Sequence, residues 1–111
     1  MPWLVRDGKV LATVETADSR RRRRRGLLGR DGIDGVLELR ARSVHTVGMR
    51  FPIEVAFCDT RGPGELRVVR VVTLRPNRVS WPSIRGRVAL EAEAGAFRRW
   101  NVRAGDRLEI R

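Results

Sequence analysis

A chain of 111 residues, 41% hydrophobic and 33% charged, has the length of one domain (1–111) and a globular composition. The formal net charge is +11, and 23 of the 24 basic residues are arginine, so nucleic acid, acidic proteins and anionic lipid are all admissible partners. No run of about 18 apolar residues is present to span a membrane. The N-terminus lacks the apolar core of a secretory signal, and one cysteine cannot form an internal disulfide. Together these features predict a cytoplasmic protein.

In chain order, Leu4, Val10, Leu11 and Val14 flank Asp7-Gly8, a strong turn dipeptide, and predict a pair of short strands. Thr16 followed by Ala17-Asp18-Ser19 reads as a helix start, and a helix is expected over about 17–29, ending near Gly29 or Gly32. Alternation over 35–40 predicts a strand. So do residues 53–58 and 66–74, joined by a turn over 59–64 that is rich in glycine and carries Pro63. Residues 75–87, with two prolines and a glycine, read as a long loop that packs onto the barrel through Trp81, a partner contact by Trp81 being the alternative. A strand over 88–93, a helical turn over 96–102 and a strand over 107–110 complete the chain. The expected architecture is α+β and mostly β: a small twisted sheet or partly closed barrel with one main helix packed on it.

Two regions stand out. The first is the run Arg20, Arg21, Arg22, Arg23, Arg24 and Arg25. Six helical residues sweep more than a full turn, so they cannot share one solvent face. With Leu27 and Leu28 facing the core, Arg24 points inward and needs an acceptor, for which Glu54 and Glu91 are the candidates. The other five arginines form a basic patch. A solvated helix with one structural ion pair is the plainer reading. A nucleic-acid surface is the alternative, with few aromatic side chains to stack on bases.

The second region is 45–59, which holds the only histidine and the only cysteine. Along 53–58, Ile53, Val55 and Phe57 share one face, while Glu54, Ala56 and Cys58 share the other. A carboxylate among small apolar neighbours suggests an enclosed position. Glu91, between Leu90 and Ala92, is a parallel case. His45, Thr46, Arg50, Glu54 and Glu91 are therefore the candidate lining of a polar groove for a peptide or small anionic ligand. A structural role for the lone histidine is the plainer alternative.

Several chemistries find no support. One cysteine and one histidine cannot make a structural zinc site, so no metal or other cofactor is expected. No Walker loop and no Gly-x-Ser-x-Gly elbow occur. Ser43, His45 and Asp59 make a poor triad, and Cys58 reads as a small core residue. A Glu54–Glu91 acid/base pair is the remaining catalytic option.

Four motifs in order carry a resemblance: Arg25-Gly26-Leu27-Leu28-Gly29-Arg30, the 45–59 block, Leu90-Glu91-Ala92-Glu93-Ala94-Gly95 and Val102-Arg103-Ala104-Gly105-Asp106. The chain resembles the prokaryotic family catalogued as domain of unknown function 192, in its His-Thr-x-x-Met-Arg-Phe-Pro-Ile-Asp branch, with Glu54 in place of the final aspartate. The resemblance implies a compact α+β fold around a barrel-like sheet. It implies no reaction, cofactor or substrate. Three functions follow, in order of preference: a binding or accessory domain for a protein or small anionic ligand, a non-specific nucleic-acid or anionic-surface binder, and a carboxylate-dependent hydrolase or lyase.

Overall fold

The computed structural model describes residues 2–17 and 32–111. Their strands are β1 (Trp3–Arg6), β2 (Lys9–Ala17), β3 (Val36–Arg40), β4 (Ile53–Gly62), β5 (Glu65–Leu74), β6 (Val88–Glu93) and β7 (Arg107–Ile110). One short helix, α1 (Ala96–Arg99), precedes β7. The strands close a barrel in the order β1-β2-β3-β6-β4-β5-β7, with β7 returning to β1. Only β2 and β3 run parallel; the other pairs are antiparallel.

The β1–β2 hairpin forms where the dipeptide predicts it. Asp7 (φ 50°) and Gly8 (φ 78°) both have positive φ, the requirement of the turn whose twist matches antiparallel strands. The β4–β5 hairpin is tighter than the sequence suggests. Pairing continues through Gly62↔Glu65, leaving Pro63-Gly64 as the turn. The Gly64 carbonyl (φ 71°) then accepts the Ile110 amide at 2.8 Å, and a Cβ there would lie 2.8 Å from the Ile110 carbonyl oxygen. A side chain would break the contact that ties the hairpin to β7.

The expected helix start is corrected. Thr16 and Ala17 end β2, paired with Glu38 and Leu39, and the Thr16 hydroxyl donates to Glu38 rather than capping a helix. The β-branched residues Val10, Thr13, Val14 and Thr16 favour this extended course. The rest of the expected helix and the arginines Arg20, Arg21, Arg22, Arg23, Arg24 and Arg25 lie outside the described residues, as does any pairing of Arg24.

Two apolar cores lie on either side of one barrel wall. The interior core contains Leu4, Val36, Ala56, Cys58, Leu66, Leu90, Phe97 and Leu108. A second core outside the β3–β6–β4 wall contains Leu37, Leu39, Val44, Met49, Val55 and Phe57. This is why every residue of β4 from Ile53 to Cys58 is buried on both faces. Helix α1 closes one barrel end: Phe97 is fully buried and meets the Trp100 ring edge-on, with centroids 5.5 Å apart.

Candidate functional site

Residues 41–52 and 75–87 cover the second core and are laced together by Thr46, which is completely buried. Its hydroxyl donates to the Arg75 carbonyl at 2.5 Å and accepts from the Arg78 amide at 2.9 Å. Its own amide donates to the Arg78 carbonyl, and its carbonyl accepts from Asn77 and Met49. The Asn77 side chain in turn accepts from the Gly48 amide. Thr46 is thus a latch between two loops, not a groove-lining donor.

The 75–87 loop has inward and outward positions. The Ser80 hydroxyl accepts from the Val44 amide at 2.9 Å, and the Ser80 carbonyl accepts from the Ser43 hydroxyl at 3.0 Å. The Ser83 amide donates to the Arg42 carbonyl, and the Ser83 hydroxyl accepts from Gly86. Arg70, on β5, lays its guanidinium over the Phe57 ring at 4.9 Å and donates to the Trp81 carbonyl at 2.6 Å. Between these anchors the large apolar side chains face outward: Val79 is 68% exposed, Trp81 83% and Ile84 91%, with Val47 of the facing loop at 53%. The expectation that Trp81 packs onto the barrel is therefore corrected. Its neighbours Ser80 and Ser83 take the inward positions.

Charge on this surface has one sign. Residues 41–52 and 75–87 contain six arginines and the single histidine, with no aspartate or glutamate. His45 is exposed, forms an isolated bridge with Val79, and accepts the Val47 amide at Nδ1. Arg50 is exposed at the end of the same loop. The structure thus brings His45, Thr46 and Arg50 to one region.

Glu54 and Glu91 are elsewhere. Glu54 pairs with Ala92 and faces the barrel interior, whereas Glu91 pairs with Val55 and Leu37 and faces the second core. Directly opposed partners share a face, so the two carboxylates lie on opposite sides of the wall. No common groove or acid/base pair joins them. Glu54 is buried and its Oε1 accepts the Phe97 amide at 3.0 Å, which caps the otherwise uncapped start of α1. It lines, with Arg98 and Arg103, a cavity of about 240 Å³.

Cys58 is buried inside the barrel. Burial first, and the negative charge of Glu38 second, push its thiol from 9.0 up to about 12. A thiol so rarely ionised is a poor nucleophile. The sequence did not single out Glu38. Its carboxylate faces the interior on β3, opposite Leu90, while Leu37 and Leu39, which look like the core face, point to the second core.

The model of the family domain of unknown function 192, described as an uncharacterized ACR, matches residues 3–110. A search of the curated proteins finds no match. Among solved structures, the chain is similar to a Sinorhizobium meliloti 1021 protein described as a "putative transcription regulator". The TM-score is 0.73 at 24% identity, covering 97% of this chain and 90% of that one. It is also similar to a protein of unknown function from Novosphingobium aromaticivorans DSM 12444. There the TM-score is 0.72 at 10% identity, covering 99% and 82%. At these identities the likeness is one of fold: a closed, mostly β barrel. With its model matched over almost the whole length, the chain belongs to the domain of unknown function 192 family.

Proposed function

We propose that this protein is a non-enzymatic binding or accessory domain whose contact surface is the arginine-rich loop pair carrying Val47, Val79, Trp81 and Ile84, and whose partner is an acidic protein segment with apolar side chains. The observation that carries this reading is the outward display of Trp81 and Ile84 on a backbone fixed by inward anchors. Large apolar side chains exposed among arginines are a common mark of an interaction site. Tryptophan and arginine are also the side chains that most often dominate protein interfaces. The absence of acidic residues from both segments selects a negatively charged partner, and would speed its approach. The aliphatic members of the display favour a protein over a nucleic acid, which would use flat rings for stacking.

The test is selection from a random dodecapeptide library on the wild-type protein, with subtraction on a Trp81→Ala/Ile84→Ala variant. Peptides rich in Asp and Glu around Leu, Ile or Phe, lost on the variant, are the expected result. Enrichment that survives the variant, or that carries no acidic bias, refutes the reading. In a parallel titration at about 0.15 M salt, tight binding of a single-stranded oligonucleotide with a steep salt slope, and no enriched peptide, would replace it with the nucleic-acid alternative.

A further inference from the structure

At the barrel end opposite α1, the described residues line a cavity of about 580 Å³. That volume is within the range of small-molecule sites and too roomy for a lone ion. Its polar members are Thr16, Glu38, Arg40 and Thr60. Its apolar lining includes Leu66, Val88 and Ile110. A polar rim over an apolar floor at the mouth of a β-barrel is a common setting for a ligand.

The arrangement of charge is specific. Glu38 pairs with Leu90 and Arg40 with Val88, both partners being interior-core residues, so both charged side chains leave β3 on the barrel side. They are two residues apart, about 6.6 Å along the strand. Thr16 donates its hydroxyl to Glu38 Oε1 at 3.2 Å and so orients the carboxylate. Among the described residues, neither Glu38 nor Arg40 forms an ion pair within 4 Å. The Glu38 charge is nonetheless felt at Cys58, further inside the barrel. A simple anion would meet repulsion from Glu38. A simple cation would leave Arg40 unused and repel it.

We propose that this barrel mouth binds a small zwitterion with an apolar body, an apolar amino acid or dipeptide, its ammonium on Glu38 and its carboxylate on Arg40. The hydroxyl groups of Thr16 and Thr60 border the charged ends, and Leu66, Val88 and Ile110 receive the apolar side chain. Guanidinium–carboxylate and carboxylate–ammonium contacts are charge-assisted and roughly twice as strong as neutral hydrogen bonds. The site is independent of the loop surface carrying Trp81.

The experiment is an amide-correlation NMR titration of the full chain with leucyl-leucine up to about 10 mM, a level that mostly fills even a millimolar site. N-acetyl-leucyl-leucine and leucyl-leucine amide are titrated alongside, each lacking one charge. Saturable shifts at the amides of Thr16, Glu38, Arg40 and Gly64 are expected. Removing either ligand charge should weaken binding about tenfold or more, the equivalent of about 1.4 kcal/mol. Glu38→Gln should weaken leucyl-leucine by a similar factor, while affecting the already amine-blocked ligand little. Because the capped ligands act on wild-type protein, the conclusion does not depend on how the variant folds. No saturable shift, shifts confined to other surfaces, or equal binding of capped and uncapped ligands would overturn the proposal.

Discussion

Replacing Thr46 with valine tests whether the latch holds the two loops on the second core. Valine has nearly the shape of threonine, so the change leaves no cavity and isolates the hydroxyl. The wild-type hydroxyl makes two good hydrogen bonds, to the Arg75 carbonyl at 2.5 Å and from the Arg78 amide at 2.9 Å. At about 1 kcal/mol net for each, their loss costs about 2 kcal/mol. Leaving a part-buried carbonyl and amide without this partner raises the loss toward about 3 kcal/mol. Urea unfolding followed by tryptophan fluorescence should show the midpoint fall by about 1–2 M at unchanged slope. If the loops instead release locally, the global value changes less, but the Asn77 and Thr46 amides, bonded across the two loops, lose hydrogen-exchange protection. A loss below about 0.5 kcal/mol with unchanged protection at both amides would refute the latch.

Glu54→Ala should cost about 3 kcal/mol, from an orphaned Phe97 amide and lost buried methylenes, while Glu54→Gln, which retains an acceptor oxygen, costs under half as much; equal losses in urea melts would exclude the capping role. Arg70→Met removes the stacking on Phe57 and the bond to the Trp81 carbonyl but also a buried Nε with no hydrogen-bond partner, so global stability should stay within about 1 kcal/mol while the 75–87 loop gains exchange rate; a loss above about 3 kcal/mol contradicts this balance. Cys58 is protonated in the fold up to about pH 12 but ionises near 9 once unfolded, so its contribution is intact below pH 9 and lost as pH rises toward 12. Wild-type stability should therefore fall by about 1.4 kcal/mol per pH unit more steeply than that of Cys58→Ala in this window, and parallel slopes would refute the assignment. Trp81→Ala should leave the urea midpoint nearly unchanged, since the ring is 83% exposed, yet reduce affinity for a selected acidic peptide by about thirtyfold, as for an interface hot spot; a small change in affinity would remove Trp81 from the contact surface.

The strands were legible because their signals are local. Asp7-Gly8 needs no tertiary information to make its turn, alternation marks β3, and short apolar runs bounded by turn residues mark β4 and β6. Register is not local, and the candidate site was misjudged where register decides. Glu54 and Glu91 each stand in an apolar strand, and either could face the same cleft. The antiparallel offset places Ala92, not Glu91, opposite Glu54, and one residue of slip sends a side chain to the other face. The two-sided wall misleads in the same way. Leu37 and Leu39 look like the barrel face of β3, because a sequence does not reveal that a second core waits outside. Glu38 and Arg40, the polar members of that alternation, are the residues that face the barrel. Thr46 belongs to the loop region the sequence singled out, but its role as a latch depends on residues 75–78, about thirty positions away.

The exposure of Trp81 and Ile84 has a structural cause that bears on function. Burying one such side chain is worth roughly 1.5–3 kcal/mol, so a slack loop would turn them inward. This loop is prevented from doing so. Ser80 is held by Val44 and Ser43, Ser83 by Arg42 and Gly86, and the Trp81 carbonyl by Arg70. The serines occupy the inward positions, and Trp81 and Ile84 follow them outward. The facing loop is fixed through Thr46, next to His45, which bridges to Val79 and accepts the Val47 amide. The inward anchors are polar and the outward side chains apolar, the reverse of what folding alone would favour. An ordered backbone that keeps its largest apolar side chains in water forgoes stability; under the proposed binding role such a display is pre-organised, so that a partner does not bear the entropy of ordering it.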